Sequence, residues 1–170
     1  MKATELMNSM FSDMHRAMRS EVESLTDEQL FHRPGPSINS IAFVLWHYSR
    51  IEDNVIHSQA AGSKAIWDEE KWYERLGLDA EASGMGFSDD QVGEFRPDRD
   101  DLLAYCDEVW SATPPLIEAL SEADLDRPLN PERPRMTLGR SIANFALAHG
   151  FWHLGDIRFL KGMQGMRFAV

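Results

Sequence analysis

The chain has 170 residues, 43% hydrophobic and 26% charged, with a formal net charge of −11. That composition predicts one soluble domain over residues 1–170 whose core needs no disulfide, and Cys106 alone cannot form one internally. The acidity argues against a nucleic-acid partner, no apolar run is long enough for a membrane span, and Glu5 and Asp13 interrupt the opening segment where a secretory signal needs apolar residues, so the expected setting is the cytoplasm.

The first helix is expected from about Thr4 to Glu23, with Met7, Met10, Phe11, Met14 and Met18 recurring at three- and four-residue steps. "HRPGPSINS" breaks the chain, because Pro34, Gly35 and Pro36 cannot continue a helix. Asn39 or Ser40 can cap the second helix, "IAFVLWHYSRIEDNVIHSQAA", on which Phe43, Val44, His47, Ile51 and Val55 share a face. A short amphipathic piece, "AIWDEEKWYERLG", ends at Gly77, and residues 79–95 read as a long surface connection. The third helix begins near Asp98 and carries Leu102, Leu103, Cys106, Val109 and Trp110. Pro114 and Pro115 are expected to kink or restart it, since they remove two backbone donors. Thr137 can cap the last helix, on which Ile142, Phe145, Ala146, His149, His153, Ile157 and Leu160 share a face. No strand alternation bounded by turns is present, so the reading is all-α: a four-helix bundle, in which sites are built between facing helices.

His47, His149 and His153 lie on apolar faces of the two most hydrophobic helices. Residues four apart on a helix sit one turn apart on the same face, so His149 and His153 can share a ligand. With His47 from another helix they supply three nitrogens, the ligand count of an open catalytic zinc site. The alternative is three core histidines with hydrogen-bonded rings. Gly150 after His149 excludes the H-E-x-x-H protease motif, no histidine has glutamate three residues before it as di-iron bundles need, and no phosphate-loop or nucleophile-elbow pattern occurs. Asp156 follows on the same stripe, as a fourth ligand, an acceptor that orients a histidine, or a solvated carboxylate near Arg158. His15, His32 and His57 read as surface or packing residues. Trp46, Trp152 and the methionine stripe of the first helix read as packing.

Two stretches carry a family resemblance. "RPGPSINSIAFVLWHYSRIED" is similar to the loop and second helix of the DinB-like superfamily (DinB/YfiT-type metalloenzymes), and "HGFWHLGDI" is similar to that family's H-x-x-x-H-x-G-Q-[IL] signature. The resemblance covers essentially the whole chain. It implies up-down-down-up connectivity, a homodimer, and a divalent metal, often zinc or nickel, held by His47, His149 and His153. It also implies a small-molecule substrate and an activity among thiol-dependent transferases and isomerases that use mycothiol, bacillithiol or glutathione, with metal-dependent hydrolase as an alternative. A third possibility is a non-catalytic, stress-related metal-binding dimer. Asp156 stands where the family signature has glutamine, and its face makes it the candidate acid–base residue. The "RPGPS" loop is expected to bring Arg33 near an anionic substrate, and residues 78–97 to wall the mouth of the site.

Overall fold

A computed structural model describes residues 2–167. The described chain is all-α, and its one β-type contact is an isolated antiparallel bridge between Pro128 and Thr137. Four long rods form the frame: α1 (Ala3–Val22), α3 (Ile41–Asp53), α7 (Arg99–Glu118) and α10 (His149–Met163). Between them lie α2 (Asp27–Phe31), α4 (Ile66–Glu69), α5 (Trp72–Arg75), α6 (Asp89–Glu94), α8 (Glu122–Asp126) and α9 (Leu138–Ser141). α3 runs on into a π-helical stretch, Asn54–Ala61, and a second one, Ile142–Ala148, joins α9 to α10. α1 and α3 each pack against both α7 and α10. No helix is long and apolar enough to cross a membrane.

Local chemistry starts each rod. Ser40 Oγ accepts the Phe43 N–H, the Asp98 carboxylate accepts the N–H groups of Asp100 and Asp101, and Thr137 Oγ1 accepts from Arg140, which satisfies donors that a helix start leaves free. The sequence "IAFVLW" is apolar on every side because α3 is buried on every side, from Ile41 to Trp46.

Three expectations from sequence are corrected. Residues 65–77 form two short helices rather than one, divided at Lys71, whose φ is +54°. α7 passes through Pro114 and Pro115 without a restart. The two prolines remove only their own two N–H donors, and the burial of Val109, Trp110, Thr113 and Ile117 holds the rod together. Phe145 is 49% exposed rather than part of the inner face. It lies within the π-helical stretch, where i→i+5 bonding breaks the 3.6-residue period on which that face was drawn.

α10 approaches its neighbours most closely at Gly150. A Cβ there would stand 2.3 Å from Met14 Sδ and 2.7 Å from the Tyr48 ring. Gly150→Ala is therefore expected to cost about 1–3 kcal/mol through overpacking, read as a lower urea midpoint. An unchanged midpoint would show that α10 can shift freely against α1 and α3. At the other end of this contact, buried Glu21 accepts from Lys161 Nζ at 2.6 Å and from Arg158 Nε at 2.9 Å, fixing α10 along α1.

Candidate metal centre

His47 comes from the middle of α3, and His149 and His153 from the first two turns of α10. One ring nitrogen of each lies within 4.8 Å of the other two, and among the described residues no other set of three or more His, Cys, Asp or Glu converges in this way. The ring centroids are 4.3 Å apart for His149 and His153, 5.3 Å for His47 and His149, and 5.4 Å for His47 and His153. Tyr48, fully buried, lies beneath the pair on α10, with its ring centre 6.3 Å from His149 and 6.5 Å from His153.

The outer nitrogens fix the tautomers. His47 Nδ1 meets the Ser83 carbonyl, which can only accept, so that nitrogen carries the hydrogen. His153 Nδ1 donates to Asp156 Oδ2 at 2.9 Å. His149 Nδ1 is buried without a hydrogen bond of full geometry; the Phe145 carbonyl one turn back is a weak partner. The Nε2 atoms of His47 and His153 are therefore bare lone pairs, and His153 Nε2 stands 2.9 Å from His149 Nε2. A neutral His149 closes that contact by donating its Nε2–H to the bare His153 Nε2; with the hydrogen on Nδ1 instead, beside the Phe145 carbonyl, all three Nε2 lone pairs are free for a cation. Protonation is disfavoured: burial, and then the charges of protonated His153 and His47, push His149 down to about 4. Burial also lowers His47, against the upward pull of the Ser83 carbonyl. Three converging imidazoles, with orienting acceptors behind two of them and with burial disfavouring the charged form of His47 and His149, are a donor set that fits a divalent transition metal.

The connection after α5 lies against this site at Ser83 and Gly84. Gly84 has φ +82°, and a Cβ on it would stand 3.0 Å from both His47 Nδ1 and the Phe43 ring. Only glycine lets the turn lie so flat on α3 and bring the Ser83 carbonyl to His47. The turn is held from below, where Arg50 Nε donates to the Ala82 carbonyl at 3.1 Å and Trp67 Nε1 to the Ala80 carbonyl at 2.7 Å. Arg50 and Trp67 rest in turn on fully buried Asp53. Its carboxylate accepts from the N–H groups of Ile66 and Trp67, both at 2.9 Å, and from Tyr105 at 3.0 Å, with His57 Nδ1 also 3.0 Å away and Arg50 at 3.8 Å. Glu52 beside it bonds His15 at 2.9 Å and Thr113 at 2.6 Å.

Several individual expectations are resolved here. His15 and His57 are buried and paired with carboxylates, not surface residues; His32 is exposed. Trp46 is fully buried, whereas Trp152 is 70% exposed and packs on nothing in the core. Asp156 stands behind His153 and does not join the converging nitrogens. Arg33 is not available to an anion beside the histidines: its guanidinium donates to the carbonyls of Ile38, Pro36 and Asp89 and so ties the proline loop to α6. Gly84, Ser83, Tyr48 and the Glu52–Asp53 pair are supports that sequence reading passed over. The signal for the last was present, as two adjacent acidic residues inside an otherwise buried helix.

A family model described as the DinB superfamily matches residues 10–157. The chain belongs to the DinB superfamily. Its fold is similar to a crystal structure described as the conserved protein of a locus from Enterococcus faecalis, with a TM-score of 0.84 and 20% identity, over 96% of this chain and 97% of that one. At that identity the likeness shows the fold alone. No curated protein matches the chain.

The depressed His149 gives this DinB-superfamily protein a distinctive acid response. Its folded value of about 4 lies below the ordinary value near 6.5 that the unfolded chain has. Between those values the unfolded state binds more protons, so His149 causes stability to fall as pH drops from about 6.5 toward 4, and has no such effect above that window. Metal-free His149→Gln is expected to lose less stability than the parent between pH 7 and pH 4.5 in urea titrations. Equal losses would contradict the depressed value.

Proposed function

We propose that this DinB-superfamily protein is a metal-dependent enzyme in which His47, His149 and His153 hold one divalent transition metal, zinc or nickel. The observation that carries the reading is the convergence of three imidazoles, two with their outer nitrogens committed to acceptors. Bound there, the metal supplies Lewis acidity and lowers the pKa of a thiol or water in its open position. The reaction we assign is transfer or isomerisation on a small-molecule substrate with a low-molecular-weight thiol of the mycothiol, bacillithiol or glutathione type as cosubstrate.

The chain's own groups divide the work. Asp156 acts through His153, holding the Nδ1–H tautomer and the ring's direction, so we assign it as a positioning residue rather than an acid or base. The Ser83 carbonyl does the same for His47. Tyr48 and Gly150 set the floor, and the 83–84 turn keeps water from the inner side of His47. We take the four rods as a bundle of up-down-down-up connectivity and the working unit as a cytoplasmic homodimer. The outward Phe151 and Trp152 on α10 support an interface on that face, since single domains rarely expose neighbouring large apolar side chains without use.

The test is turnover of an electrophile, 1-chloro-2,4-dinitrobenzene, by zinc- or nickel-loaded protein with glutathione, bacillithiol or mycothiol. Metal-dependent thiol consumption that His149→Ala abolishes is the expected result. Electrophile consumption that is indifferent to thiol would overturn the transferase assignment in favour of a hydrolase.

A further inference from the structure

A cavity of about 260 Å³ opens beside Asp156, between the proline loop, the start of α3 and the second half of α10. That is just below the range of roughly 300–1,000 Å³ for drug-sized ligands, so it suits a metabolite-sized group. Ile38, Val44 and Phe159 give it apolar walls, and Asn39 and Asp156 stand at its polar side. The charge there is one-signed. Asp156 Oδ2 accepts from His153, while Oδ1 has no hydrogen-bond partner among the described residues, and the nearby cation, Arg158, is taken up by Glu21. The Asp156 side chain is 58% exposed, and Phe159, one turn on along α10, is 65% exposed. Arg33, whose loop borders the cavity, is committed to backbone carbonyls and offers an anion nothing.

We propose that this cavity binds the substrate's ammonium group together with a compact apolar body. A free carboxylate oxygen attracts and accepts from an ammonium, and an open aromatic face adds cation–π attraction. Asp156 touches both the cavity and His153, so the ammonium end of a ligand seated there is the end directed toward the three histidines. The inference rests on the metal-site reading only for that direction; the ammonium preference follows from the cavity alone.

The experiment is calorimetric titration of metal-free and zinc-loaded protein with 2-phenylethylamine, 2-phenylethanol and phenylacetate at pH 7. The amine is expected to bind both forms at least tenfold more tightly than the alcohol, with no detectable binding of phenylacetate. Asp156→Asn keeps an acceptor for His153 and should remove most of the amine's advantage over the alcohol. Phe159→Leu keeps the apolar wall and should weaken the amine more than the alcohol. Phenylacetate binding as well as the amine, or an amine preference untouched by Asp156→Asn, would overturn the proposal. Failure of zinc to bind would overturn the metal reading instead and leave the metal-free titrations to decide this one.

Discussion

Replacing Asp53 with alanine is expected to lower the unfolding free energy by about 3–5 kcal/mol, the range seen when one partner of a buried charged network is removed. The carboxylate is fully buried and accepts from two backbone N–H groups and one phenol, with a histidine and an arginine alongside. Alanine would leave those donors buried without acceptors, which costs far more than the bonds themselves contribute. Burial by itself would lower His57, but the Asp53 carboxylate outweighs it and raises the imidazole; the variant removes that support and leaves the Arg50 cation without its nearest counter-charge. Against a total stability of about 5–15 kcal/mol for a domain, a loss of that size is large. Guanidinium unfolding checks it, and a loss below about 1 kcal/mol would show that the network carries little. Because Arg50 and Trp67 hold the 80–84 turn, the variant should also weaken metal binding.

His149→Ala is expected to weaken zinc and nickel binding by more than the roughly 10–100-fold that follows loss of an orienting residue. It removes the nitrogen that stands 2.9 Å from His153 Nε2 and leaves two histidines on separate helices. Asp156→Ala should fall within the smaller range, since it frees the His153 ring but leaves its nitrogen in place. Competition with a metal-binding dye measures both. Wild-type affinity in His149→Ala would remove these histidines as ligands. The fold should survive, because His149 is only partly buried.

The frame of the protein is legible in its sequence for a physical reason. Each rod has a side-chain cap or an apolar period strong enough to read locally, as with Ser40 before "IAFVLW" and Thr137 before "LGRS". The histidines are legible for the same reason: imidazoles on an apolar face need partners, and helical spacing says which two share a side. The π-helical stretch at Ile142–Ala148 is not legible, because nothing in "IANFALA" separates a π-helix from an α-helix. The 3.6-residue period therefore points Phe145 inward, whereas the residue is 49% exposed.

What local reasoning misses is tertiary in origin. His15 and His57 find their carboxylates on α3, 37 and four residues away in sequence, and only packing of α1 and α7 on that helix shows that the pairs are buried. Gly84 reads as loop flexibility, but its role is the close approach of its turn to His47. Arg33 reads as a free cation beside a proline turn; its donors close that turn instead. Pro114 and Pro115 read as a break, and the helix nonetheless continues because its buried residues outlast the lost backbone bonds.

Whether His47, His149 and His153 form a metal site is read from the metal content, by mass spectrometry, of untagged wild-type protein purified without chelator. About one equivalent of a divalent transition metal per chain is expected, with a fall in melting temperature once a chelator removes it. No metal before or after reconstitution with zinc or nickel, and a melting temperature indifferent to chelator, would contradict the metal site and leave three core histidines.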